Sequence, residues 1–181
     1  TGDYNTAVGY AALDAITTSD YNTALGWGAG GSTANTTGAQ NTFIGGEAGN
    51  QIINKNDHTF VGYRAGATNR AGYGSTIIGS TAGYAPSGAT YSGSYNLFAG
   101  YGAGFRTGGD KSTLLGANAG YNNTVVGALA GESLISTIQT VLIGSYAGHS
   151  INSTDANGTI AIGNNAGTSI TSGQKNTIIG Y

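Results

Sequence analysis

The sequence predicts an all-β protein, a parallel β-solenoid or β-roll of eleven stacked repeats of about 17 residues. Three observations support this prediction. A nine-residue phrase, Asn-Thr-x-h-Gly-x-x-Ala-Gly with h apolar, recurs from the first residues to the last. The 34 glycines follow this phrase, whereas only 8% of the residues are charged, which is unusual for a globular domain. A fixed period this short is typical of repeats that bury their apolar residues against neighbouring repeats.

The central glycine of the phrase, here called the marker glycine, identifies each repeat. The marker glycines are Gly9, Gly26, Gly45, Gly62, Gly79, Gly100, Gly116, Gly127, Gly144, Gly163 and Gly180. Their spacing varies only through the connecting segments, such as 32–40, 50–57 and 150–158, which we predict to be solvent-exposed loops. We therefore expect residues 1–181 to form a single repeat array, which is a fragment of a longer one.

The residue before each marker glycine is always apolar, and most of these residues are strand formers. We interpret this column as the interior of the coil. The predicted core ladder is Val8, Leu25, Ile44, Val61, Ile78, Leu115, Val126, Ile143, Ile162 and Ile179, with Ala99 at the remaining position.

A second apolar column lies one residue earlier, on the opposite face of an extended strand. Its larger members are Phe43, Phe60, Ile77, Phe98, Leu114, Val125, Leu142 and Ile178. At a strand spacing of about 4.8 Å it would form an apolar stripe about 50 Å long, which soluble monomers avoid. Strands that are apolar on both faces are buried on both faces. We predict that this column is an oligomer face and that the chain forms a fibrous homo-oligomer, most simply a trimer.

Threonine opens the apolar stretch in eight of the eleven repeats, and Leu97, Val141 and Ile160 replace it in the others. Because aliphatic side chains substitute here, we interpret the column as a narrow interior in which the Thr methyl group packs. One residue earlier still, six repeats carry Asn, and His58, Ser75 and other polar residues fill the remainder. We expect these side chains to form Asx-type turns or ladders that bond the backbone from coil to coil.

Alanine stands three residues after each of the first ten marker glycines, and glycine follows it in nine of these repeats, with Leu13 as the exception. Such strictness for the smallest residues indicates a close approach of backbones or a turn with positive φ. The positions between the marker glycine and this alanine vary freely, as at Glu47, Arg64, Thr81, Asn118 and Asn165. We expect the side chains at these positions to face water.

Charge and composition exclude several classes of function. The net charge is −2 and the six Lys and Arg residues are scattered, so no basic stripe indicates a nucleic-acid partner. No apolar run approaches the roughly 18 residues of a membrane span, so we expect no membrane insertion. With no cysteine in the chain, disulfides and thiolate metal sites are excluded.

Catalytic and metal sites are poorly supported. Asp3 and Asp20 share a column, but no His or Arg joins them, and Glu47, Asp110, Glu132 and Asp155 occupy unrelated columns. Hydrolysis of a polysaccharide would need two carboxylates in one cleft. His58 and His149 also belong to different columns. We expect no enzyme activity and no cofactor.

The sequence allows two kinds of glycan contact, stacking on aromatic side chains and N-glycosylation. Aromatic residues around the longest loop, namely Tyr84, Tyr91, Tyr95 and Tyr101, could stack on cell-surface carbohydrate, or they could cover loop backbone. The aromatics that follow marker glycines, Tyr10, Trp27, Tyr63, Tyr101 and Tyr181, could likewise be rim packing. N-glycosylation sequons begin at Asn35, Asn122, Asn152 and Asn157.

The phrase Asn22-Thr23-Ala24-Leu25-Gly26-Trp27-Gly28-Ala29-Gly30 resembles the repeats of phage tail-fibre shafts and bacterial surface adhesins, over essentially the whole chain. It is also similar to the β-roll heads of trimeric autotransporter adhesins, although their repeat is shorter and more uniform. The resemblance implies a fibrous homo-oligomer that works outside the cell, at the cell surface or on a virion.

The sequence therefore predicts a structural fibre or adhesin shaft that gives length and stiffness. The alternative is a subunit of a self-assembling extracellular filament or sheath. A third hypothesis is an ice-binding solenoid, because regular Thr arrays on flat solenoids can order water. The aliphatic replacements in the Thr column and the irregular loops count against it.

Overall fold

The computed structural model describes residues 2–31, 38–68, 72–84, 94–104, 113–117, 124–132, 134, 139–151, 156–170 and 173–181. Eleven strands form one parallel sheet in which every strand pairs with the next along the chain. The chain is therefore an all-β solenoid with one strand per repeat, as the repeat predicts. None of the described residues belongs to a helix long and apolar enough to cross a membrane.

Every strand has three residues and ends immediately before a marker glycine. The strands are β1 (Thr6–Val8), β2 (Thr23–Leu25), β3 (Thr42–Ile44), β4 (Thr59–Val61), β5 (Thr76–Ile78), β6 (Leu97–Ala99), β7 (Thr113–Leu115), β8 (Thr124–Val126), β9 (Val141–Ile143), β10 (Ile160–Ile162) and β11 (Thr177–Ile179). Their register aligns equivalent residues, for example Phe43 with Phe60 and Phe60 with Ile77. Each column of the repeat is thus a straight row along the solenoid axis.

The structure reverses the predicted roles of the two apolar columns. The central residue of most strands, in the column predicted to form the oligomer face, lies inside the coil of its own chain, whereas Ala7 in β1 is exposed. Phe43, Phe60, Ile77, Phe98, Leu114, Val125 and Leu142 are at most 1% exposed, and only Ile178 in the last strand is half-buried.

The predicted core ladder instead points outward, so that prediction is wrong. Val8, Leu25, Ile44, Ile78, Ile143 and Ile179 are 37–73% exposed, and Val61, Leu115, Val126 and Ile162 are half-buried. The Thr column shares this outer face, so its predicted interior position is wrong as well. A three-residue strand directs only its central side chain inward, because successive side chains alternate between the two faces.

The turn after each strand contains the alanine and glycine of the repeat, and its geometry explains why both residues are small. Ala48 and Ala65, three residues after their marker glycines, are fully buried, and the glycines that follow have φ near +60°. A Cβ atom on Gly49 would lie 2.5 Å from ring atoms of Phe43. Both expected causes, positive φ and close approach, therefore act at this position. The exception, Leu13, also has positive φ but adds its side chain to the core.

A further inner column lies seven residues after the marker glycine. Ile52 and Ile151 are fully buried, Leu134 is nearly so, and Ile16 and Ile170 pack against the core. Two of these residues lie in segments predicted to be exposed loops, 50–57 and 150–158, so that prediction is wrong for Ile52 and Ile151. The solenoid core is thus built from the strand centre, the turn alanine and this loop aliphatic.

Candidate functional surface

The outer face of the sheet is a candidate functional surface. It consists of the first and last residue of every strand and is called the outward face below. Eight of its first-row residues are Thr, its second row is aliphatic, and none of its members is charged. Leu25 and Ile78 illustrate its exposure, at 49% and 44%. Because the sheet is in register, this uncharged face runs along all eleven strands, a length of about 50 Å at ordinary strand spacing.

A polar row, here called the Asn ladder, lies just before the strands and consists of the half-buried Asn5 and the buried Asn22, Asn41, His58, Ser75 and Asn96. Asn22 Oδ1 accepts the backbone N–H of Asn41 at 3.0 Å, and Asn41 Oδ1 accepts that of His58 at 3.0 Å. Asn22 Nδ2 also donates to the Gly38 carbonyl at 2.9 Å. The expected coil-to-coil ladder is therefore confirmed, and it acts inside the coil.

His58 performs the same role as the asparagines. Its Nδ1 lies 3.2 Å from the backbone nitrogen of Ser75, and its Nε2 lies 3.0 Å from the Gly72 carbonyl oxygen. Nδ1 therefore accepts and Nε2 carries the proton, which is the neutral imidazole. Burial is the main cause that lowers the pKa of His58 from 6.5 to about 4, with a smaller lowering from Lys55, while its two backbone hydrogen bonds and Asp57 act in the opposite direction.

The predicted glycan-contact tyrosines do not form one cluster. Tyr95 and Tyr101 are each 63% exposed, but they flank β6 at opposite ends. Tyr84 is half-buried, and Tyr91 lies outside the described residues. Among the aromatics that follow marker glycines, Tyr10, Trp27 and Tyr63 are 79%, 56% and 50% exposed.

Charged side chains pair between neighbouring coils near these aromatics. Arg64 Nε donates to Glu47 Oε2, and this bond raises the pKa of Arg64 above its ordinary value. The guanidinium carbon also lies 5.2 Å from the centre of the Tyr63 ring and 5.5 Å from that of Tyr84. The position of Glu47 and Arg64, which we expected to face water, therefore carries a partly exposed ion pair beside aromatic rings.

The other candidate residues have structural partners. Asp20 Oδ1 accepts the backbone N–H of Asp3 at 2.7 Å, and His149 Nε2 lies 2.8 Å from Glu132 Oε2. Asp110, Asp155 and Asn118 lie outside the described residues. Among the residues that are described, no group of three or more His, Cys, Asp or Glu side chains is placed to hold a metal ion.

The glycosylation sequons are mostly outside the described residues, as is the case for Asn35, Asn122 and Asn152. Asn157 is half-buried, and its carbonyl oxygen accepts the backbone N–H of Lys175 at 2.9 Å. The Thr of its sequon, Thr159, is fully buried and donates to Ala156.

No protein-family model, no curated protein and no solved structure matches the chain. Function is therefore inferred from the surface. Two of its features are used: the uncharged outward face and the exposed aromatics that follow several marker glycines.

Proposed function

We propose that this chain is the shaft of a structural fibre and that it associates with copies of itself through the outward face. One observation carries the proposal: this face is about 50 Å long, uncharged and rich in exposed aliphatic side chains. A face of this kind is stabilised by contact with another apolar surface. A second copy offers a surface with the same axial spacing, so its side chains can interdigitate with these along the whole length.

The composition of β6 supports a rigid partner on this face. The first row of the outward face carries its only Leu at Leu97, and the second row carries its only Ala at Ala99, in the same strand. In β6 the larger side chain of the first row is thus offset by a smaller one in the second, whereas β9 and β10 have aliphatic residues in both rows without such an offset. Such compensation is expected where both rows are packed, because close-packed interfaces respond to the volume of a single methylene group.

A side-by-side bundle, most simply of three chains, is the proposed assembly. Its location would be outside a cell, at a cell surface or on a virion, where length and stiffness are useful. The row-wise hydrogen bonding of every coil to the next supports a stiff rod, because both the strands and the turns contribute bonds along the axis.

A single charge on the outward face tests the proposal. Ile78→Asp should dissociate the assembly to the 17.9 kDa chain in sedimentation velocity, while the chain keeps its fold by circular dichroism. Asn165→Asp adds the same charge at an exposed turn position away from this face and should leave the mass of the assembly unchanged. An unchanged mass for Ile78→Asp would contradict the proposal.

Ice binding is a second candidate function, and one observation favours it: the Thr column lies outside the coil, on the outward face. Thr residues recurring at the strand spacing of about 4.8 Å present hydroxyl and methyl groups in a regular row that could order water. Thermal hysteresis tests this candidate. If the face is covered by another copy, as in the shaft, hysteresis should be absent; a hysteresis that Thr59→Leu reduces would favour ice binding.

A further inference from the structure

The residues directly after the marker glycines, here called the rim row, border the outward face; aromatic residues occupy four of its first six positions, and the later positions carry Ala117, Ala128, Ser145, Asn164 and Tyr181. Its members in the first six coils are Tyr10, Trp27, Gly46, Tyr63, Ser80 and Tyr101. The four aromatic side chains are 50–79% exposed. Exposed aromatic rings that recur at one position of a repeat are a feature that folding alone does not require.

Three of these rings lie on alternate coils, while Tyr10 lies on the first coil, directly beside Trp27 on the second. Trp27, Tyr63 and Tyr101 belong to the second, fourth and sixth coils, and the in-register sheet places equivalent residues of neighbouring coils about 4.8 Å apart. The backbone positions that carry successive members of the three are therefore about 10 Å apart. Gly46 and Ser80 occupy the coils between them, and a Cβ on Gly46 would lie 3.5 Å from the Tyr63 ring, so this ring packs beside Gly46.

We propose that the rim row binds an extended β-1,4-linked polysaccharide. In such a chain each sugar is turned over relative to its neighbours, so every second sugar presents the same apolar ring face. One sugar unit is about as long as the strand spacing of about 4.8 Å. Rings on every second coil therefore match every second sugar of a chain lying along the solenoid axis.

Polar groups beside the row suit the sugar hydroxyls. The ion pair of Glu47 and Arg64 lies between the levels of Trp27 and Tyr101, with the Arg64 guanidinium close to both Tyr63 and Tyr84. Carboxylate oxygens accept hydrogen bonds from hydroxyl groups and the guanidinium donates to their oxygens. Because these two charges cancel, the ligand we infer is a neutral polysaccharide.

This binding does not depend on self-association, so the two proposals can fail separately. The chain is incubated with cellulose powder and with chitin powder, and the bound fraction is measured as a function of protein concentration. The solution mass of every variant is measured in parallel. Retention on either powder supports the proposal and identifies the sugar; no retention on both overturns it.

The decisive variant moves one ring by one coil. Tyr63→Ser combined with Ser80→Tyr keeps the number of aromatic residues but puts rings on the first, second, fifth and sixth coils, which breaks the alternation of Trp27, Tyr63 and Tyr101 and so the match to every second sugar. We expect affinity to fall about fivefold, the order of one lost aromatic contact of about 1 kcal/mol. Tyr146→Ser removes an exposed aromatic outside the row and should leave affinity unchanged. Equal affinity for the native chain and the shifted variant would indicate non-specific adsorption and overturn the proposal.

Discussion

Each marker glycine lies directly beside the next one along the solenoid axis. A Cβ on Gly62 would lie 2.6 Å from the carbonyl carbon and oxygen of Gly79, and the φ of Gly62 is +129°. Substitution here therefore meets two separate obstacles, a backbone conformation that L side chains rarely adopt and a backbone atom that cannot move aside.

Gly180 separates these two effects, because its φ is +138° but nothing lies within 4 Å of its added Cβ. We predict that Gly62→Ala lowers the free energy of unfolding by roughly 3 kcal/mol and Gly180→Ala by about 1 kcal/mol. Urea denaturation of both variants measures the difference. Equal losses would show that backbone conformation, and not the close approach of coils, explains the marker glycines.

His58 makes the stability of the solenoid depend on pH. Because its pKa is lowered from 6.5 to about 4, the unfolded chain binds more protons than the folded chain between these values. The contribution of neutral His58 to the free energy of unfolding is complete above pH 6.5. It is lost as the pH falls towards 4, and the loss is roughly 3 kcal/mol.

His58→Asn should remove this loss, because Asn fills the same ladder position in neighbouring coils and does not titrate. The measurement is the urea midpoint of native and variant chains between pH 7 and pH 4. His149→Asn, at a partly exposed position, is the matched control and should retain the loss. If the native chain were equally stable at pH 7 and pH 4, the claim that His58 is buried as a neutral imidazole would be wrong.

At the scale of strands and turns, the position of the repeat elements was predictable and their orientation was not. Every strand ends where the apolar pair before a marker glycine ends, and the alanine and glycine of the turn have the predicted roles. The predicted inner column lies outside and the predicted outer column lies inside, because hydrophobicity alone does not distinguish two faces that are both apolar.

One signal could have decided the orientation. Asn41 and Phe43 are two residues apart and so share a face of the strand. A ladder that bonds the backbone from coil to coil lies inside the coil, which places Phe43 inside and Thr42 and Ile44 outside. The aliphatics at Ile52 and Ile151 were missed because they recur among polar loop residues in segments of variable length, where the repeat is hard to align.

The neighbours Phe60 and Val61 test this orientation. Phe60 is fully buried, whereas Val61 is half-buried on the outward face. Phe60→Ala should lower the free energy of unfolding by about 3–5 kcal/mol, because it leaves a cavity in a core that cannot close it. Val61→Ala should cost roughly 1 kcal/mol or less in the separate chain. Denaturation at low protein concentration compares them; a greater loss for Val61→Ala would contradict the assignment.

At the scale of the whole molecule, the uncharged outward face links the fold to the proposed shaft. The repeat predicted that one of the two apolar columns would remain outside the coil of its own chain. One does, but it is the column directly before the marker glycines and not the strand-centre column. The number of chains in the proposed bundle was not predictable, because it would depend on the angle between neighbouring outward faces and not on the pattern within one chain.

Small-angle X-ray scattering of the native chain tests the central claim most directly, since it gives mass, length and cross-section together. A side-by-side bundle should have a mass near three times 17.9 kDa and a length close to that of one solenoid, about 50 Å. End-to-end filaments would instead lengthen with concentration at a constant cross-section. A mass of 17.9 kDa at every concentration would contradict the claim that another copy covers the outward face.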